Sequence, residues 1–203
     1  MTDKNLINQL APPDYASLLA VFLSWAAIIL LLKHLFFASL GVAIFALVAD
    51  MLDGWLARRG STSPFGKYLD SFVDVILYLL YPALFLYLLG LDDAISLVTL
   101  GIFIAAGVLR LARFTADGFE EDENQRYYIG MPVFWNLLWL YVVFLVSTRW
   151  PVAEKELLLV AGLLLVCWLM VSSIKFPKPV GYGVLLPLLV VLALGSIILN
   201  FQL

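Results

Sequence analysis

The sequence predicts an all-α fold, a polytopic helical bundle embedded in a membrane. Three observations lead there. Of the 203 residues, 64% are hydrophobic and only 13% charged, with a mean hydropathy of +1.01; that balance suits lipid better than water. The apolar residues fall in runs of the length needed to cross about 30 Å of hydrocarbon. Most of the charges collect at the joints between those runs, where water and lipid headgroups can solvate them.

Taken in order, the chain opens with a polar segment, residues 1–14, read as interfacial because Leu6, Ile7 and Leu10 repeat at helical spacing. It lacks a basic stretch followed by a short apolar core and a cleavage site, so no removable signal peptide is expected. Asp14 is expected to cap the first span. Candidate spans follow at residues 15–33, 36–58, 66–90, 94–116, 129–148, 156–174 and 183–201. Pro82 predicts a kink in the third and Pro187 one in the last. No repeat or low-complexity tract divides the chain, so residues 1–203 are read as one domain. Cys167 and His34 are each the only residue of their kind, which argues against a disulfide framework or a zinc site. No nucleic-acid partner is expected.

Charge placement orients the bundle. With the N-terminus in the cytoplasm, nine cations lie inside (Lys4, Arg58, Arg59, Lys67, Arg110, Arg113, Arg126, Lys175, Lys178) and three outside (Lys33, Arg149, Lys155). That asymmetry follows the positive-inside rule. With seven spans the C-terminus lies outside; if residues 183–201 do not cross, it lies inside.

The informative stretch runs from Asp50 to Asp74. Asp50, Asp53, Asp70 and Asp74 lie inside or at the edge of long apolar runs, where an isolated carboxylate costs about 2.5–3.5 kcal/mol at the bilayer centre. Asp50 and Asp53 are i, i+3, with Gly54 and Ala57 close by. Gly66, Asp70 and Asp74 are i, i+4, i+8. Each set forms one stripe of a helix. Gly60, Ser61, Thr62, Ser63 and Pro64 break the chain between them, so two antiparallel helices would gather four carboxylates around one volume. Oxygen donors alone suit Mg²⁺ or Mn²⁺, and this many suit two ions. A metal pair is well fitted to displacement at phosphorus.

The pattern D-x-x-D-G-x-x-A-R followed by G-x-x-x-D-x-x-x-D resembles the signature of the CDP-alcohol phosphotransferases, membrane enzymes of phospholipid synthesis. The resemblance implies that Asp50, Asp53, Asp70 and Asp74 bind metal, with Asp74 also the base, and that Gly54, Ala57, Arg58 and Gly66 cradle the CDP group. Seven residues separate Arg58 from Gly66, where the family usually has eight. It also implies a homodimer in a bacterial or archaeal plasma membrane, with the site facing the cytoplasm. Pro13-Asp14-Tyr15-Ala16-Ser17 resembles the Pro-Asn-x-x-Thr element with which many members begin their first span, Asp14 and Ser17 standing in for Asn and Thr.

Later segments bear on the acceptor. Leu69-Asp70-Ser71-Phe72, Arg110-Leu-Ala-Arg113-Phe114, Tyr128-Ile-Gly130-Met131-Pro132 and Leu169-Met170-Val171-Ser172 are most similar to the phosphatidylserine synthase branch. This implies CDP-diacylglycerol and L-serine as substrates, with phosphatidylserine and CMP as products. Arg110 and Arg113 share a helix face; they are either interface anchors that snorkel to water or ligands for an anionic group such as serine's carboxylate. Phe134-Trp135-Asn136 is similar to the phosphatidylcholine synthase branch instead, and Tyr127, Tyr128 and Trp135 would suit choline's cation. Glycerol phosphate and inositol phosphate are further acceptors, and a proton or ion pathway is the non-enzymatic alternative. Asp117 to Glu123 is read as a solvated acidic loop. Asn136, inside an apolar run, is expected to hydrogen-bond to another helix.

Overall fold

The computed structural model describes residues 6–60, 63–122, 125–148, 156–177 and 185–202. Lys4, Ser61, Thr62, Glu123, Arg149, Lys155 and Lys178, used in the sequence reading, lie outside the described residues. After a single 3₁₀ turn at Leu6–Gln9, the helices are α1 (Pro12–Leu32), α2 (Phe36–Ala57), α3 (Gly66–Val75), α4 (Tyr81–Leu88), α5 (Ala94–Asp117), α6 (Trp135–Ser147), α7 (Glu156–Val171) and α8 (Leu185–Gln202). A π turn at Ile76–Leu80 joins α3 to α4. Four apolar helices reach spanning length (Pro12–Leu32, Phe36–Ala57, Gly66–Leu88 and Ala94–Asp117), and three shorter ones follow. The protein is an integral membrane helical bundle.

Contacts divide the chain into two compact units: residues 1–77 with 181–203, and residues 78–180. In the first unit, α1 and α2 form an antiparallel hairpin. Its turn passes through His34, whose φ is +58°. Small residues line the seam: Ala20, Ala27, Ala43 and Ala46 are fully buried, which lets the backbones approach as membrane helices require. The Ser39 hydroxyl donates to the Ala27 carbonyl at 2.8 Å. Ala20, Ala49 and Val73 meet where α3 joins the pair. On α2's other side runs α8, also antiparallel: the Ala38 N–H donates to Asn200 Oδ1 at 3.3 Å. A methyl at Gly41 would sit 2.6 Å from Ile197 and 2.7 Å from the Ala193 carbonyl oxygen, so only glycine fits that crossing. Pro187 falls in the first described turn of α8.

The second unit holds α4 to α7 and a small antiparallel sheet, β1 (Glu120–Asp122), β2 (Gln125–Ile129) and β3 (Lys175–Pro177), ordered β1-β2-β3. Two sequence expectations change here. Residues 120–122 are not a loop but pair with β2, Glu120 opposite Tyr127. The adjacent Tyr127-Tyr128-Ile129 run is strongly β-forming and supplies a partner edge. The helix of the fifth candidate span, α6, begins at Trp135, not near residue 129. Gly130 has φ +74° and Pro132 follows it, and neither suits a helix interior.

Pro82, where the sequence predicts a kink, sits in the first turn of α4. The helix accommodates it with the π turn just before it. Proline has no N–H for the carbonyl four residues earlier, that of Tyr78. Asn136 Nδ2 donates to that carbonyl at 3.2 Å and to Met170 Sδ at 3.5 Å. The helix-to-helix role expected of Asn136 is what it performs.

Candidate active site

The site lies in the first unit, where the C-terminal end of α2, the N-terminal end of α1 and the start of α3 converge. Asp50 of α2 and Asp70 and Asp74 of α3 face one volume, as the spacing along each helix allows. One carboxylate oxygen from each of Asp50, Asp70 and Asp74 lies within 4.8 Å of the others, and all three side chains are half-buried. Three carboxylates this close repel by about 3–4 kcal/mol per pair at an effective dielectric near 20. A hard divalent cation bound at 2.0–2.6 Å from each oxygen fits that spacing. The residues present suit the metal that the family generally requires.

Asp53 is not part of this trio. It is buried, and its Oδ2 accepts a short hydrogen bond from the Ser17 hydroxyl of α1. Asp14, also buried, sits at the third position of α1 and not at its cap: the N-cap is Ala11. Its Oδ2 accepts from the Ala11 N–H at 2.7 Å, and its Oδ1 accepts from the Ser63 hydroxyl at 3.0 Å. One carboxylate thus caps a helix and ties down the turn between α2 and α3.

Beside these groups is a cavity of about 360 Å³. Asp53, Gly54, Ala57, Gly66 and Asp70, all expected at the site, line it. So do Asp14, Ser17, Ser63 and Lys67. Lys67 and Ser63 were not singled out as site residues in the sequence, because neither lies on the carboxylate stripes. The likeness of residues 13–17 to the family's element was the available signal for Asp14 and Ser17. A methyl at Gly66 would lie 3.1 Å from Asp14 Oδ1 and 3.3 Å from Ser63 Oγ. The bare backbone there is what lets the Asp14–Ser63 tie close over α3. Arg58 caps α2, and its Nη1 reaches to 3.5 Å from where a Gly54 methyl would be. The guanidinium therefore folds back over the glycine. Arg59 turns away to stack on Trp55, 4.0 Å from the ring centre.

The other two candidate residues belong to the second unit. Arg110 is 3% exposed, so it does not snorkel. Its guanidinium lies 5.1 Å from the ring centre of Phe114 and 5.5 Å from that of Tyr128. Phe114, Phe119 and Tyr128 pack together with centres 4.9–5.6 Å apart. Lys175 Nζ lies 5.9 Å over the Tyr127 ring. Arg113 donates to main-chain carbonyls: Nη2 to Ile129, Met170 and Ser172 at 2.8, 3.2 and 3.1 Å, and Nη1 to Val171 at 3.3 Å.

An apolar helical bundle that gathers carboxylates beside a cavity at one end of its helices fits a membrane enzyme whose acidic cluster could hold a metal ion. Residues 10–173 match the family model described as CDP-alcohol phosphatidyltransferase, and the chain belongs to that family. It is similar to the archaetidylserine synthase of Methanothermobacter thermautotrophicus, 28% identical over 90% of this chain and 76% of the relative. It is also similar to the CDP-diacylglycerol–serine O-phosphatidyltransferase of Methanocaldococcus jannaschii, 32% identical over 81% of this chain and 73% of the relative. The phosphatidylcholine synthase of Pseudomonas aeruginosa is a more distant relative, 26% identical over 70% of this chain and 58% of its own. The protein is a phosphatidyltransferase, and its acidic cluster belongs to an enzyme, not a proton pathway.

Proposed function

We propose that this protein moves the phosphatidyl group of CDP-diacylglycerol to L-serine and releases CMP. One observation favours serine over choline. The two tyrosine rings that would suit a quaternary ammonium already face the chain's own cations, Arg110 over Tyr128 and Lys175 over Tyr127. A second cation there would meet like charge, whereas a carboxylate meets a buried guanidinium. The names of the more similar relatives agree with this choice.

In this reading Asp50, Asp53, Asp70 and Asp74 hold two Mg²⁺ or Mn²⁺ ions, and Gly54, Ala57, Arg58 and Gly66 hold the CDP group. The ions, when bound, offset charge on the pyrophosphate oxygens and on the departing CMP. Gly54 and Gly66 line the cavity that would receive the nucleotide. Arg58 donates to a phosphate oxygen as a planar fork. Arg110 orients serine by its carboxylate. Asp74 accepts the proton of the serine hydroxyl as that oxygen bonds to the lipid-side phosphorus. The bond from phosphorus to the CMP oxygen breaks, and CMP leaves with the electron pair. The chain works as one domain in a homodimer, as the family resemblance implies, in a bacterial or archaeal plasma membrane. The asymmetry of nine cations against three supports a cytoplasmic site.

The test is CMP release by purified protein with Mn²⁺ or Mg²⁺ and CDP-diacylglycerol. Serine should start turnover and choline should not. Silence with serine and turnover with choline would reverse the assignment.

A further inference from the structure

Arg113 looks from its position like a partner of Arg110, one helical turn away on the same face of α5. Its hydrogen bonds say otherwise. The last four carbonyls of a helix have no partner within it, and those of α7 belong to Trp168, Leu169, Met170 and Val171. The Ser172 N–H takes the first at 2.9 Å. The Met131 N–H and the Ser172 hydroxyl share the second, at 3.0 and 2.9 Å. Arg113 takes both of the others, and adds the carbonyls of Ser172 and Ile129. The Gly130 N–H donates to Ile174 at 2.9 Å, which joins the same corner to the β2–β3 pair. A cation at this helix end is also favoured by the helix dipole. Gly130 completes the fit: it holds φ +74°, and a methyl there would collide with the Met170 carbonyl oxygen and with Arg113 Nη2.

We infer that Arg113 is a positioning residue: with Gly130 it locks the end of α7 and strand β2 to α5, and so fixes Tyr128 against Arg110. It acts on the acceptor through that wall, not by touching it. This rests on the reading of Arg110 as the group that binds serine's carboxylate. A planar fork that serves four carbonyls from one point has no equivalent in lysine. Arg113→Lys keeps the charge and loses the geometry.

The experiment uses the full chain in detergent micelles, with hydrogen exchange at the Gly130 and Met131 amides measured beside steady-state kinetics. Arg113→Lys should speed exchange at both amides. It should also raise KM for serine about tenfold, the effect of one lost charged hydrogen bond, with KM for CDP-diacylglycerol unmoved. Gly130→Ala, which alters no side chain able to reach a substrate, should do the same. A raised serine KM in Arg113→Lys with exchange unchanged means direct contact with the acceptor and overturns the inference. Faster exchange with serine KM unchanged also overturns it, since the lock would then be structural only. Should Gly130→Ala not fold, Arg113→Lys alone decides between these outcomes. Arg110→Gln separates the underlying reading: if its serine KM is that of wild type, the acceptor assignment fails by itself, while exchange in Arg113→Lys still reports the lock.

Discussion

Two regions of this protein handle charge in opposite ways. At the meeting of α2 and α3, three carboxylates crowd within 4.8 Å, an arrangement whose mutual repulsion a bound cation would relieve. At the corner of α5, β2 and α7, one cation distributes its donors over four carbonyls of the chain itself. The first region gathers like charge into a site that could take a metal ion. The second is complete without a ligand. Substitutions in the first should therefore change chemistry most, and those of Arg113 and its partners should change stability or geometry.

The sharpest test of that contrast is Asp74→Asn. Loss of a general base costs about 10²–10⁴-fold in rate. CMP release should fall by that much while CDP-diacylglycerol stays bound, and a variant near full rate would remove Asp74 from the base role. Next comes the metal. Chelation should abolish turnover, and added Mn²⁺ or Mg²⁺ should restore it. Divalent ion at a hundredfold its Kd should stabilise the fold by about 2.7 kcal/mol, read as a rise in melting temperature. Asp50→Asn should lose that rise, yet melt above wild type in chelator because one like charge is gone. If it melts lower there, the crowding of carboxylates is not a source of strain.

Smaller effects probe the supports. Ser17→Ala removes the donor to Asp53, and CMP release should drop about tenfold, the size of one hydrogen bond to a charged group. Unchanged turnover would leave the Ser17–Asp53 bond without a functional part. Asn136→Ala removes a donor to the Tyr78 carbonyl beside Pro82. It should cost about 1–3 kcal/mol of stability and leave the requirement for divalent ion as it was. A changed metal dependence in that variant would erase the distinction between the two regions.

The sequence by itself determined the membrane bundle and the convergence of acidic side chains from α2 and α3. Hydropathy is a sum over neighbours along the chain, and a helix repeats its faces every three or four residues. Both therefore survive without knowledge of the fold. Gly54, Ala57, Gly66 and Asp70 reach the cavity for the same reason. Tertiary structure decided what local spacing cannot carry. It tied Asp53 to Ser17, 36 residues away, and Asp14 to Ser63, 49 away. It turned the acidic run 120–122 into a strand by giving it an edge to pair with. Arg113 was assigned to carbonyls 57 to 59 residues along the chain, because a hydrogen bond is settled by which donor and acceptor the packed helices bring within 3 Å or so, and no periodicity records that meeting.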